Sequence, residues 1–98
     1  MSSNASSLQT SSVVEDAFVL DQFQVGEQGR ITAIKAETEL RQRLVALGLR
    51  EGGIVQVLRK ASFGGPIHVR VGTTEVFMRR MEAKRIVVVP MVDLMAMP

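Results

Sequence analysis

Ile54-Val55-Gln56-Val57-Leu58-Arg59-Lys60, Ser62-Phe63-Gly64-Gly65-Pro66 and Ile67-His68-Val69-Arg70-Val71 follow one another in the stretch on which the fold turns. The first run is rich in β-branched residues and reads as a strand. The second, with paired glycines before a proline, reads as a reversing loop. The third alternates apolar and polar residues, the pattern of a strand with one buried and one wet face. Upstream, Glu51-Gly52-Gly53 is a turn. Before it, Leu40, Leu44 and Leu47 recur at the spacing of one apolar stripe, which predicts a short amphipathic helix opened by Glu37 or Thr38. Gly48 accepts the left-handed conformation that stops a helix, so Leu49 is expected to fold back near Leu44.

Further out, Arg30–Lys35 reads as a strand, preceded by a short apolar approach over Phe18–Glu27. Downstream, Gly72-Thr73-Thr74 turns the chain into a strand at Glu75–Arg79. A single helical turn at Met81–Lys84 follows, then a last strand at Ile86–Val89, ended by Pro90. Five short strands with one helix inserted between the first two predict a mainly β domain, a small antiparallel barrel rather than a βαβ sheet. The helix is short enough to cap an open end, and closure would remove exposed strand edges.

The chain has 98 residues and 46% apolar content, enough for one compact core and no second domain. Six of the first twelve residues are serine, so residues 1–16 are expected to be a disordered leader. Residues 91–98 form a methionine-rich tail, more apolar than a free terminus, which either packs on the barrel or docks elsewhere. Between them, residues 17–90 hold all 12 Lys and Arg against 7 acids, a net +5 that suits an acidic partner as well as plain solubility. The start of the chain lacks the basic and apolar regions of a signal peptide, and no apolar run approaches the roughly 20 residues of a membrane span. A cytoplasmic protein, not embedded in the membrane, is therefore expected.

The absence of cysteine excludes disulfides, zinc-thiolate sites, iron–sulfur clusters and a thiol nucleophile. His68, the sole histidine, shares its strand face with Arg70 and is read as a solvated strand residue rather than a metal ligand. No spaced acidic cluster, Gly-x-Ser-x-Gly or Ser/His/Asp order is present, and neither Gly52-Gly53 nor Gly64-Gly65 precedes a helix in the manner of a phosphate loop. No catalytic residue, metal ligand or cofactor is expected, and the chain is read as no enzyme. Without Trp or Tyr there is no aromatic row for stacking bases or for docking proline-rich peptides. Phe63 stands out as a large apolar residue at a glycine-flanked tip: either it contacts a partner or it folds back over the barrel mouth. Arg41 and Arg43 lie outward beside the leucine stripe, available to an acidic partner or simply solvating the helix.

The order of motifs is distinctive: a first strand, Leu40-x-x-x-Leu44-x-x-Leu47-Gly48-Leu49, Glu51-Gly52-Gly53-x-Val55-x-Val57, Gly64-Gly65-Pro66-Ile67-x-Val69, and Met78-Arg79-x-x-Glu82-Ala83-x-x-Ile86-x-Val88. Over residues 17–90 this resembles the FeoA family, the small cytoplasmic component of bacterial ferrous-iron uptake. Met78 stands where that family usually has leucine, a volume-conserving exchange. The resemblance implies an SH3-like antiparallel β-barrel with one short inserted α-helix. It also implies an accessory protein that binds the FeoB membrane transporter from the cytoplasmic side and modulates it, through GTP hydrolysis, assembly or gating. Arg41, Arg43, Phe63, Gly64, Gly65 and Pro66 are the candidate partner-binding residues. The family also resembles the C-terminal domains of iron-dependent repressors, but no helix-turn-helix precedes the barrel here. The alternatives are a basic barrel that binds RNA, although no nucleic-acid partner is expected, and a metal-dependent repressor-type regulatory barrel.

Overall fold

The computed structural model describes residues 17–91. The expected leader, and the expected tail after Met91, lie outside the described residues. The elements are β1 (Phe18–Val19), a 3-10 turn (Leu20–Gln22), β2 (Gln28–Ile34), α1 (Thr38–Ala46), β3 (Ile54–Lys60), β4 (Ile67–Val71), β5 (Thr74–Met78), α2 (Arg80–Ala83) and β6 (Ile86–Pro90). The expected hairpin is β3–β4, antiparallel with Val57 opposite Val69. All five expected strands are present within a residue or two of their expected ends. A sixth, β1, is so short that Phe18 and Val19 carry no periodicity to read; it exists because they pair with Val88 and Val87 of β6.

The helix forms as its leucines dictate. Leu44 is completely buried, with Leu40 and Leu47 packed against the core on either side. Burying a leucine stabilises by about 2 kcal/mol. At the end of α1 the Leu49 N–H donates to the Leu44 carbonyl and the Gly48 N–H to that of Val45, with Gly48 at φ +106°. This double closure satisfies carbonyls that the helix end would otherwise orphan, and it swings Leu49 into the core with no exposure.

The strands form one sheet in the order β1-β6-β2-β3-β4-β5, every neighbouring pair antiparallel. Two irregularities set the phase of its side chains. Between Ile31 and Ala33 the β2–β6 register shifts, which lets both Ile31 and Ile34 face the core although they are three residues apart. Between Val57 and Arg59 the β3–β4 register shifts in the same way. Lys60 then lies opposite buried Ile67, and Arg59 falls opposite His68 on the outer face. The core draws on every longer strand and on both helices, from Ile31 and Leu44 through Val55, Val69 and Val76 to Ala83 and Val88.

The expectation that closure removes the strand edges is corrected. Among the described residues β1 and β5 are the sheet's edges and do not pair with each other. Polar side chains bridge the gap instead. Arg80 of α2 reaches Asp21 in the 3-10 turn, Oδ1 at 3.2 Å, and Lys84 reaches the other carboxylate oxygen at 2.7 Å. Lys60, turned inward by the bulge, donates to the carbonyls of Asp21 and Phe23 at 2.8 and 2.9 Å. These ties hold the two ends of the chain's sheet together at one mouth of the barrel.

Candidate partner-binding surface

The loop between β3 and β4 is built tightly from its own backbone. Ala61 N–H donates to the Pro66 carbonyl and Gly65 N–H to that of Ser62. A side chain at position 65 would press on Ala61 Cβ at 2.7 Å, so the turn requires glycine there. Gly64 lies at φ +76° and Phe63 at φ +58°, the one residue other than glycine in the left-handed region among those described. Phe63 is fully exposed, its ring touching solvent rather than the barrel mouth. The alternative in which it folds back is thereby overturned: the two consecutive left-handed residues throw the tip outward. The left-handed backbone at Phe63 is held by the Gly65-to-Ser62 turn hydrogen bond, whereas the phenyl ring in water is unfavourable and is not offset by burial within the domain.

Arg80 fixes this loop from beneath. Its Nε donates to the Gly65 carbonyl at 2.8 Å and one terminal nitrogen to that of Ala61 at 2.9 Å, while the other meets Asp21. A single planar guanidinium thus joins the loop, the 3-10 turn and α2, a task suited to a fork of rigidly placed donors. Sequence reasoning did not single out Arg80, Asp21 or Lys60. Their partners lie 15 to 63 residues away in the chain, and no local spacing encodes such a meeting.

The two helix arginines are placed differently from the expectation of free outward cations. Arg41 donates to the Ile34 carbonyl at 2.6 Å and meets Glu51 at 3.3 Å. Arg43 pairs with Glu82 of α2. Both side chains keep about half of their surface exposed, so each presents an edge to solvent while its head is held by the domain. Glu82 is buried. Burial alone would raise its pKa, but the Arg79 N–H on Oε1 and the Arg43 guanidinium outweigh that and hold the carboxyl below its ordinary range. Asp21 is likewise lowered, chiefly by the Lys84 hydrogen bond and against the effect of burial. α2 therefore connects the candidate residues: Glu82 anchors Arg43, and Arg80, two residues earlier, anchors the Gly65 loop.

His68 is corrected from a solvated residue to a packed one. Its ring stacks on Phe77 with centroids 4.2 Å apart, and its Nε2 lies 3.0 Å from Glu75. Among the described residues no three His, Asp or Glu side chains converge as a metal site would need. No described helix is long and apolar enough to cross a membrane.

The family model for the FeoA domain matches residues 18–90. Among solved structures, the chain is similar to a FeoA described as an iron uptake regulatory protein, with 29% identity and a TM-score of 0.73 over 78% of this chain and all of that one. The FeoA protein of Chlorobium tepidum is 36% identical, with a TM-score of 0.72 over 76% of this chain and 71% of that one. The zinc-complexed FeoA of Stenotrophomonas maltophilia, described as a prokaryotic SH3 domain protein, is 30% identical, with a TM-score of 0.62 over 70% of this chain and 86% of that one. No curated protein matches the chain. With the SH3-like sheet, the inserted helix and the loop all falling inside the matched span, the chain belongs to the FeoA domain family.

Proposed function

We propose that this protein is a cytoplasmic accessory component of bacterial ferrous-iron uptake that binds the FeoB transporter and modulates its activity, with no bond-making chemistry of its own. The observation that carries a binding role is Phe63, whose ring is fully exposed at a left-handed position of a tight turn. Exposed aromatic anchors on a rigid support lose little entropy when a partner covers them, and they supply large contact area. Gly64, Gly65 and Pro66 shape the tip, and Arg41 and Arg43 of α1, each about half exposed beside Glu51 and Glu82, add charge to the surface offered to an acidic partner. The iron-uptake context comes from the family. One similar structure is described as an iron uptake regulatory protein, and the Stenotrophomonas maltophilia relative is suggested to act as a bacterial ferrous iron transport activating factor.

The test is to replace Phe63 by Asp and Pro66 by Ala, alone and together with Arg41→Gln and Arg43→Gln, and to measure association with purified FeoB and anaerobic ferrous-iron uptake. Removing an aromatic anchor is expected to weaken association by more than about tenfold. Unchanged association and uptake in the combined variant would show that the contact lies elsewhere or does not occur.

A further inference from the structure

We infer that the outer edge of β5 is a self-pairing surface, on which a second copy of this chain adds its own β5 antiparallel about a two-fold axis through Phe77. Three independent features of the strand lead there. The first is backbone direction. Gly72-Thr73 is a two-residue hairpin loop with Gly72 at φ +62°, joining the opposed pair Val71 and Thr74. That pair, and those of Val69 with Val76 and Ile67 with Met78, exchange the ladder hydrogen bonds. The intervening residues, Glu75 and Phe77, turn their N–H and C=O groups away from β4 toward the open edge. The close contact of Phe77 with His68 agrees, because side chains approach most nearly at such positions.

The second feature is the side-chain order. Glu75, Phe77 and Arg79 alternate along the outer face, while Val76 and Met78 face the core. Arg79 remains extended at φ −77° and ψ 155°, so the pattern continues to the first residue of the α2 boundary. Read antiparallel against itself with Phe77 opposite Phe77, this series places each Glu75 opposite an Arg79 of the second copy. Shifting the pairing by two residues, the smallest shift that keeps these side chains on one face, sets Glu75 against Phe77 and leaves Arg79 facing Thr73 of the turn. Only the Phe77-centred register is complementary in charge. The Arg79 N–H already donates to Glu82 and its carbonyl accepts from Glu82 and Ala83. The new ladder therefore consists of the two bonds exchanged by the Phe77 pair, and the flanking positions meet through their side chains.

The third feature is what the edge lacks. Phe77 is two-thirds exposed, Arg79 has no ion-pair partner among the described residues, and no charge points inward to discourage pairing. A strand edge of this kind is a template for addition of another strand.

The experiment measures self-association of the full chain by sedimentation equilibrium, with circular dichroism confirming the fold of each variant. Glu75→Arg and Arg79→Glu, each alone, set like charges opposite one another in both pairs and are expected to raise the dimer dissociation constant at least about tenfold. Mixed in equal amounts, the two variants restore opposite charges at both pairs, and dimer returns as a heterodimer. In the unsubstituted chain the Phe77 amide proton is expected to be protected from exchange at high concentration and to exchange freely on dilution, a readout that needs no variant. A chain monomeric at the highest accessible concentration overturns the inference. So do single charge reversals that leave the dimer intact, or a mixture that fails to re-associate when both variants are folded.

Discussion

Phe63 combines two costs that a domain under selection for stability alone would shed. The left-handed conformation costs a non-glycine residue about 1–2 kcal/mol, and its exposed ring contributes no burial in return. Phe63→Gly removes the first cost, partly offset by the roughly 0.5–1 kcal/mol of extra chain entropy that glycine carries in the unfolded state. The variant is expected to be as stable as the parent or up to about 1 kcal/mol more stable in urea unfolding, while association with FeoB falls. A clear loss of stability would mean that the ring packs on the barrel, and the proposed contact surface would lose its anchor. The ordinary fate of a loop aromatic is burial, and residue type alone did not decide between the two fates. Two consecutive positive φ values decided it, in a turn closed by Gly65 N–H on the Ser62 carbonyl and held at both ends by Arg80.

Among the elements, β2 and β6 meet at Gly29 with no room for a side chain. At Gly29 an added Cβ would meet the Val89 carbonyl oxygen at 2.5 Å and the Phe23 ring at 2.9 Å. The carbonyl belongs to the neighbouring strand and cannot move without opening the ladder. Gly29→Ala is therefore expected to destabilise by about 1–3 kcal/mol, seen as a lower urea midpoint, whereas a substitution at exposed Gly26 would meet no atom and only strain its backbone. The sequence showed Gly29 only as a residue before a strand. The helix was more legible, because the leucine stripe, Gly48 and Leu49 act within one turn of each other and the local chain encodes them completely. The β3–β4 hairpin was legible to its ends for the same reason, but its bulge was not. Simple alternation from Val55 and Val57 puts Arg59 inside, and the shifted register puts Lys60 there instead.

At the scale of the molecule, two buried or half-buried carboxylates join parts that the sheet leaves apart: Asp21 ties the 3-10 turn to α2, and Glu82 ties α2 to α1. Both have pKa values lowered in the folded state from ordinary values of 3.8 and 4.5. A lowered carboxylate contributes stability that is present above its unfolded pKa and is lost as pH falls through its folded pKa. Urea midpoints are expected to be steady above pH 4.5 and to fall on acidification below it, with Glu82→Gln less stable at neutral pH and showing a shallower acid decline. An equally steep decline in that variant would assign the acid sensitivity elsewhere. The open β5 edge is a property of the same scale, since only the strand order reveals that no further strand among the described residues pairs with it.

Local chemistry by itself determined that this chain makes short antiparallel strands, one leucine-faced helix and glycine turns, and that it carries no cysteine chemistry; periodicity and turn propensity act within a few residues, so they are written along the chain. Which side chains those strands bring together was decided only in three dimensions. The meeting of Arg80 with Asp21, the inward turn of Lys60, the stacking of His68 under Phe77 and the outward throw of Phe63 all depend on register between segments far apart in sequence. A register shift of one residue inverts every side chain beyond it, and no single segment contains the information to set it.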